Sequence, residues 1–332
     1  MMTALSASSS VQMTGEIMPI FVATSRKMKP DGGVTAELSP TTNYVMNLIS
    51  IPKDHQTGMI ERPGWGSESR KSHFTFVGQH ILDRETFRNE IATQLSGRVG
   101  ASKDVLLYVH GFNTGYDEAR FRLAQIATDS GFTGVPVLFT WPSQNKMFAY
   151  GADKDNAMAS RDDLHQVLSD LGTLPGVGRI HVLAHSMGTW LTMEALRESA
   201  IAGQGDLGGH LGEVMLAAPD IDLDVFKQQM ARVGAYTRVS IFAASDDKAL
   251  SISSSLAGDR QRVGALDVSN KDQRVEITKL GVRVYDLSNS ETGDFFKHGT
   301  FAEAPVAVRA IGAQLSAPPD DSRQSQAFEG QP

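Results

Sequence analysis

The 332-residue chain contains no cysteine. That excludes disulfides, thiolate zinc and iron–sulfur sites, a cysteine nucleophile and a lipid anchor on cysteine, while leaving the redox compartment open. Long hydrophobic runs are missing too: nothing approaches the roughly 18 apolar residues of a transmembrane helix. Met1–Met13 carries neither Lys nor Arg and no apolar run of signal-peptide length, so the chain reads as cytoplasmic. Positive charge is scarce, with 31 Lys and Arg against 38 Asp and Glu, a net charge of −7. This balance argues against a nucleic-acid partner bound by bulk charge and against a polybasic membrane anchor. The chain has no G-x-x-x-x-G-K-[ST], no H-E-x-x-H and no EF-hand loop. Gly203, Gly205, Gly208 and Gly209 precede an expected strand instead of joining strand to helix, so they form no dinucleotide loop. No metal or organic cofactor is implied.

Hydrophobic residues make up 41% and charged residues 21% of the chain, the balance of a globular protein with an ample core. The Ser-rich segment 1–15 and the polar, Pro-bearing tail 316–332 read as flexible extensions of one domain spanning 16–315. Within it, strands are expected at 17–23, 44–51 and 73–77, the last two separated by a Gly/Pro-containing loop at 52–71 that reads as a surface flap. A helix follows at 84–95. Strands at 105–109, 135–140, 180–184, 213–218, 239–243 and 282–287 then alternate with helices at 117–129, 153–171, 187–200, 222–230, 247–256 and 301–315. Such alternation predicts an α/β fold with a mostly parallel sheet covered on both faces. Ligands in such folds bind beyond the C-terminal strand ends.

Two strand ends carry reactive patterns. The first, Ala184-His185-Ser186-Met187-Gly188, lies between an apolar strand and a helix, the context of a nucleophile elbow. Ala184 replaces the usual first glycine but still lacks bulk beyond Cβ. The alternative is a serine that only caps the following helix. The second pattern, VLLYVHGFN at 105–113, ends a buried strand in His110-Gly111. In folds built on such an elbow, the N–H groups just after the HG pair and just after the nucleophile form the oxyanion hole, here those of Phe112 and Met187.

A serine nucleophile needs a histidine and a carboxylate, in the chain order Ser, Asp or Glu, His. Of the nine histidines only His210 and His298 follow Ser186. His210 precedes a strand, at the wrong end of the sheet, which leaves His298. The acid follows the strand at 239–243 as Asp246 or Asp247, one of which can instead cap the next helix while the other faces His298, with Asp220, Asp222 and Asp224 as a second group.

The span from Ile17 to about Leu315 resembles a bacterial α/β-hydrolase family long catalogued as a domain of unknown function and described as esterase- or lipase-like. The resemblance rests on FVATSR (21–26), VHGFN (109–113), FTWPS (139–143), the spacing of Tyr150, Asp153, Ala157 and Ser160, AHSMG (184–188), Asp247-Lys248-Ala249-Leu250 and His298. It implies the α/β-hydrolase fold, a Ser186–Asp247–His298 triad, and Asp247 in preference to Asp246. It implies little about substrate.

Only about twenty residues separate the strands at 213–218 and 239–243, too few for a large cap domain. Cover for an acyl pocket is expected instead from the aromatic segment Trp141–Tyr150 or from the 52–71 flap with Met59, Ile60 and Trp65. Trp141, Tyr150 and His185 are the candidate substrate contacts. The expected function is a serine hydrolase that cleaves a small-molecule carboxylic ester. Amidase, peptidase or acyltransferase chemistry uses the same triad, and a dormant binding protein on this fold is the rival from another class.

Overall fold

The computed structural model describes residues 15–317 apart from 235, 237, 257–259, 268 and 289–299. The elements are β1 (Ile17–Met28), β2 (Val34–Ser50), β3 (Thr75–Leu82), α1 (Arg84–Leu95), β4 (Val105–Val109), α2 (Tyr116–Asp129), β5 (Val135–Thr140), α3 (Tyr150–Ala159), α4 (Arg161–Gly172) and β6 (Ile180–His185). They continue with α5 (Met187–Ile201), β7 (Leu211–Ala217), α6 (Leu223–Val233), β8 (Val239–Ala243), α7 (Lys248–Leu256), α8 (Lys271–Leu280), β9 (Arg283–Asp286), α9 (Thr300–Glu303) and α10 (Pro305–Ser316).

The strands form one sheet in the order β3-β2-β1-β5-β4-β6-β7-β8-β9. β1–β2 and β2–β3 are antiparallel; every other pairing is parallel. Side chains alternate across the pleat, so each central strand feeds two cores. On β4, Val105, Leu107 and Val109 enter one core while Leu106 and Tyr108 enter the other. A strand buried on both faces has no polar alternation, which is why VLLYV is wholly apolar.

Register sets the site. β4 and β6 are neighbours, and Val109 lies opposite Ala184. The His110-Gly111 turn therefore leaves the sheet beside His185-Ser186. Ala217 at the end of β7 lies opposite His185, and Ala243 at the end of β8 lies opposite Asp286.

Two expected helices are each divided. The single helix expected at 153–171 is α3 and α4, broken at Ser160 (φ −89°, ψ 1°). The Ser160 hydroxyl turns back to Asn156 O at 2.8 Å and meets Ser25 Oγ at 2.7 Å, so its side chain competes with the helical ladder. The helix expected at 301–315 is α9 and α10, separated by Ala304 in extended conformation (ψ 121°) before Pro305. A residue before proline disfavours the helical region, while proline suits the first turn of the next helix. α8 was not anticipated; Asn270 caps it by accepting from Asp272 N and Gln273 N. Among the described residues no helix is long and apolar enough to cross a membrane.

Candidate active site

Ser186 sits between β6 and α5 with φ 51° and ψ −126°, a backbone conformation that costs a non-glycine residue about 1–3 kcal/mol. Its surroundings hold it there. Ser186 N donates to Ala217 O at 2.9 Å, and Ser186 O accepts from Thr189 N at 3.0 Å and from Thr189 Oγ1 at 2.6 Å. No side-chain capping bond from Ser186 to α5 is present, so the helix-cap alternative has no support here.

Two glycines permit the turns to meet. A Cβ on Gly188 would lie 2.3 Å from His110 O, and one on Gly111 would lie 2.8 Å from Ser186 Cβ and 2.9 Å from His185 Nδ1. Packing this close leaves room for hydrogen only, so the HG turn is pressed directly against the turn that carries Ser186. Met187, buried at the first position of α5, belongs to the helical turn whose backbone N–H groups lack intrahelical acceptors. Phe112 follows Gly111, and its ring packs edge-on against Tyr150 with centroids 5.5 Å apart.

Beneath the HG turn lies a buried polar scaffold that the sequence reading did not assign. His110 Nδ1 faces Gly111 O at 2.9 Å. Its Nε2 accepts from Trp141 N at 3.2 Å and meets Thr140 Oγ1 at 2.9 Å. These contacts fit a neutral ring with the proton on Nδ1, and burial, helped by the nearby Arg26 cation, pushes the His110 pKa down to about 3. Arg26, also buried, donates from Nε to Thr140 Oγ1 (3.0 Å), from Nη1 to Ser143 O (3.2 Å) and from Nη2 to Thr114 O (3.1 Å). Burial lowers its pKa to about 10, opposed by Asp153, so it stays charged at neutral pH. Asp153 accepts from Ser143 Oγ at 2.6 Å and from Gln144 N at 2.8 Å. One guanidinium thus ties the loop after β4 to the loop after β5.

Trp141 is corrected by this arrangement. It is not positioned as pocket cover: its indole is fully buried, stacked on His110 at 5.1 Å, with Nε1 donating to His110 O at 2.9 Å. The aromatic pattern after β5 reflects packing under the His110-Gly111 turn. Trp65 and Phe148, also aromatics of the two expected cover segments, are wholly exposed, while Tyr150 is half-buried.

Tyr150 lies on the far side of Met187. Its hydroxyl donates to Asp220 Oδ2 at 2.8 Å and meets Ser253 Oγ at 2.9 Å, and Asp220 Oδ1 takes Ser253 Oγ at 2.6 Å and faces Arg262 Nε at 3.2 Å. Burial, then the Asp220 charge, pushes the Tyr150 phenol up to about 12. Both Asp220 oxygens are therefore engaged in this network. Asp222 caps α6 through Asp224 N and Val225 N, and Asp224 approaches Lys227 Nζ at 3.6 Å. A cavity of about 90 Å³ lies here, lined by Tyr150, Met187, Trp190 and Arg262 among others. A larger one of about 510 Å³, beside Arg84, Arg88 and Asp170, includes none of the candidate site residues.

On the other side of Ser186, Asp247 is buried at the end of β8. Its Oδ1 accepts from Ala249 N at 2.9 Å and Leu250 N at 3.0 Å at the start of α7. Asp246 is half-buried beside it. His298 lies outside the described residues. The helix just beyond it, α9, is described: Phe301 stacks on His185 at 4.6 Å, against the residue that precedes Ser186. Among the described residues no group of three or more His, Asp or Glu side chains could hold a metal ion.

Residues 83–315 match the model of a family described as "Alpha/beta hydrolase of unknown function (DUF900)". The chain belongs to this family. A curated relative, virulence factor MDV010 of Gallid herpesvirus 2, is 24% identical over 253 residues, which are 72% of this chain and 32% of that protein. The chain thus spans about a third of the length of this relative. Similar solved structures include an esterase from Pyrobaculum calidifontis (14% identity, 71% of this chain and 93% of that one, TM-score 0.39). Carboxylesterase CesB from Bacillus subtilis is 9% identical (90% and 92%, TM-score 0.42), and lipase B from Aspergillus fumigatus 14% (68% and 56%, TM-score 0.42). The family assignment and the nine-stranded order above make this an α/β-hydrolase fold with a mostly parallel sheet.

Proposed function

We propose that the protein is a serine hydrolase that cleaves small-molecule carboxylic esters through an acyl-enzyme on Ser186. The observation that carries this reading is Ser186 at positive φ with the Gly111 turn pressed against it. A strained serine beside a glycine turn and a helix N-terminus is what nucleophilic attack with oxyanion stabilisation requires.

In the proposed mechanism Ser186 Oγ attacks the acyl carbon as His298 takes its proton. The carbonyl π pair moves onto oxygen, which the Phe112 and Met187 amides receive. Collapse expels the alcohol, protonated by His298, and a water activated by the same histidine releases the acid. Asp247 orients His298. Two observations support the assignment of acid and base: the Asp247 carboxylate is buried in the turn after β8, and Phe301 of α9 packs on His185, next to Ser186. Trp190 and Tyr150, which line the cavity next to Met187, are the candidate acyl contacts.

The test is intact mass after fluorophosphonate treatment, followed by hydrolysis of an ester panel. Wild type should gain one adduct, and Ser186→Ala and His298→Ala should lose it, with ester turnover falling about 10⁴-fold or more in each. A folded wild type that never labels would exclude an activated serine. Labelling without turnover of any ester would redirect the reading to amides or acyl transfer.

A further inference from the structure

The 52–71 loop contains a histidine set between two carboxylates. His55 Nδ1 faces Glu61 at 3.0 Å, and Nε2 faces Asp129 Oδ1 at 2.8 Å. Ionised carboxylates only accept, so a ring bonded to one at each nitrogen must carry both protons. The imidazolium is largely buried, edge-on against Phe74 at 5.0 Å. Asp129, at the end of α2, also accepts from Gly58 N at 2.8 Å and from Gln125 Nε2 at 2.6 Å. That same Gln125 amide donates to Ala302 O in α9 at 2.9 Å. A Cβ on Gly58 would lie 2.2 Å from Glu303 O, so the loop rests directly on α9. Arg122 of α2 pairs with Glu303 at 3.4 Å alongside.

We infer that His55 is a positioning residue: as a cation it staples the 52–71 loop to α2 and α9, and through α9 it sets the helix that follows His298 and packs Phe301 against His185. The inference rests on the proposed function for its catalytic consequence, but the staple itself does not. The charged groups near the ring are Glu61 from its own loop, Asp129 from α2, and the mutually paired Arg122 and Glu303 of α2 and α9. Burial works against the cation, but the two carboxylates outweigh it and hold the His55 pKa above its ordinary 6.5. The staple is therefore complete below pH 6.5 and is lost as pH rises through that raised value. Once one nitrogen is deprotonated, its lone pair faces a carboxylate.

The test follows His55 and α9 separately from catalysis. In the full chain, the His55 ring should titrate above pH 6.5 by NMR. Hydrogen exchange of peptides covering 300–311, corrected for intrinsic rates, should become about tenfold faster across the same pH window, the loss expected for a charged hydrogen-bonded pair. The rate of fluorophosphonate labelling should fall in parallel. His55→Gln should make α9 protection independent of pH there and remove this fall from the labelling profile, leaving only the dependence that the proposed base itself imposes. Asp129→Asn should shift the His55 titration and both transitions to lower pH. A ring titrating at or below 6.5, or α9 protection that ignores its titration, overturns the staple. Protection that follows the titration while labelling does not overturns the positioning role. A wild type that labels at no pH counts against the proposed function, and the exchange data then still decide the staple.

Discussion

The two sides of Ser186 are held by different physics. On the side of the proposed oxyanion hole, the loops after β4 and β5 hang on a buried scaffold in which His110 is neutral and Arg26 meets carbonyl and hydroxyl oxygens. On the side of the proposed base, α9 is braced by Gln125 and by the Arg122–Glu303 pair, and Gln125 in turn bonds Asp129, which His55 pairs together with Glu61. The first arrangement uses close packing and acceptors whose charge does not change near neutrality. The second depends on an ion that titrates. An oxyanion hole must have fixed geometry, since donors misaligned with the developing charge lose their effect. The helix after the proposed base tolerates an adjustable brace.

The sharpest way to break the rigid side is to fill the space where its two turns meet. Gly111→Ala places a methyl 2.8 Å from Ser186 Cβ. Backbone must then shift, and displacement of about 1 Å at a catalytic group costs roughly 100-fold in rate. The labelling rate should fall by about that factor, with a lower melting temperature. Gly151→Ala on α3, where an added Cβ meets nothing within 4 Å, is the control and should leave the labelling rate unchanged without lowering the melting temperature. Equal behaviour of the two variants would mean that the close approach at Gly111 does not hold the site.

Removing the guanidinium tests whether scaffold and hole are coupled. Arg26→Met leaves the Thr114 and Ser143 carbonyls without this donor and should destabilise the fold by about 2–4 kcal/mol in urea titration. It should also lower kcat about tenfold with little change in KM, since misaligned amides fail mainly in the transition state. Arg26→Lys keeps the charge but cannot span acceptors on two loops, so it should recover only part of each loss. A stability loss with full kcat would make Arg26 a fold residue alone.

The sequence made the strand ends legible because the signals there are local. A five-residue apolar strand followed by HG, and another followed by a small residue, His and Ser, state their geometry within nine positions. The scaffold was not legible: Arg26, His110, Thr140 and Asp153 each fall in a segment that carries the family resemblance, but they meet only through tertiary structure. Trp141 misled for the same reason: an aromatic after a strand signals burial, and whether it faces ligand or core depends on the His110 ring it stacks on. His55 was invisible because its partners Glu61 and Asp129 lie on separate elements. The divided helices had local causes in Ser160 and Pro305 that a periodicity reading passes over.

The smallest effect separates the two sides by the sign of their pH dependence. His110 has a folded pKa of about 3 against an ordinary 6.5, so the unfolded chain binds the extra proton first. Its contribution to stability is complete above pH 6.5 and is lost as pH falls from there toward 3. His55 has its folded pKa raised, so its contribution is complete below pH 6.5 and is lost as pH rises. Urea midpoints between pH 6.5 and 4 should therefore include a loss of about 1 kcal/mol per pH unit from His110. His110→Gln keeps an acceptor for Trp141 N and cannot titrate, so its stability should fall less steeply over that range while the alkaline loss from His55 persists. If the acid limb were unchanged in His110→Gln, the ring would have to be protonated in the folded protein. Its Nε2 could not then accept from Trp141 N, and the neutral scaffold under the oxyanion turn would have to be replaced by a charged one.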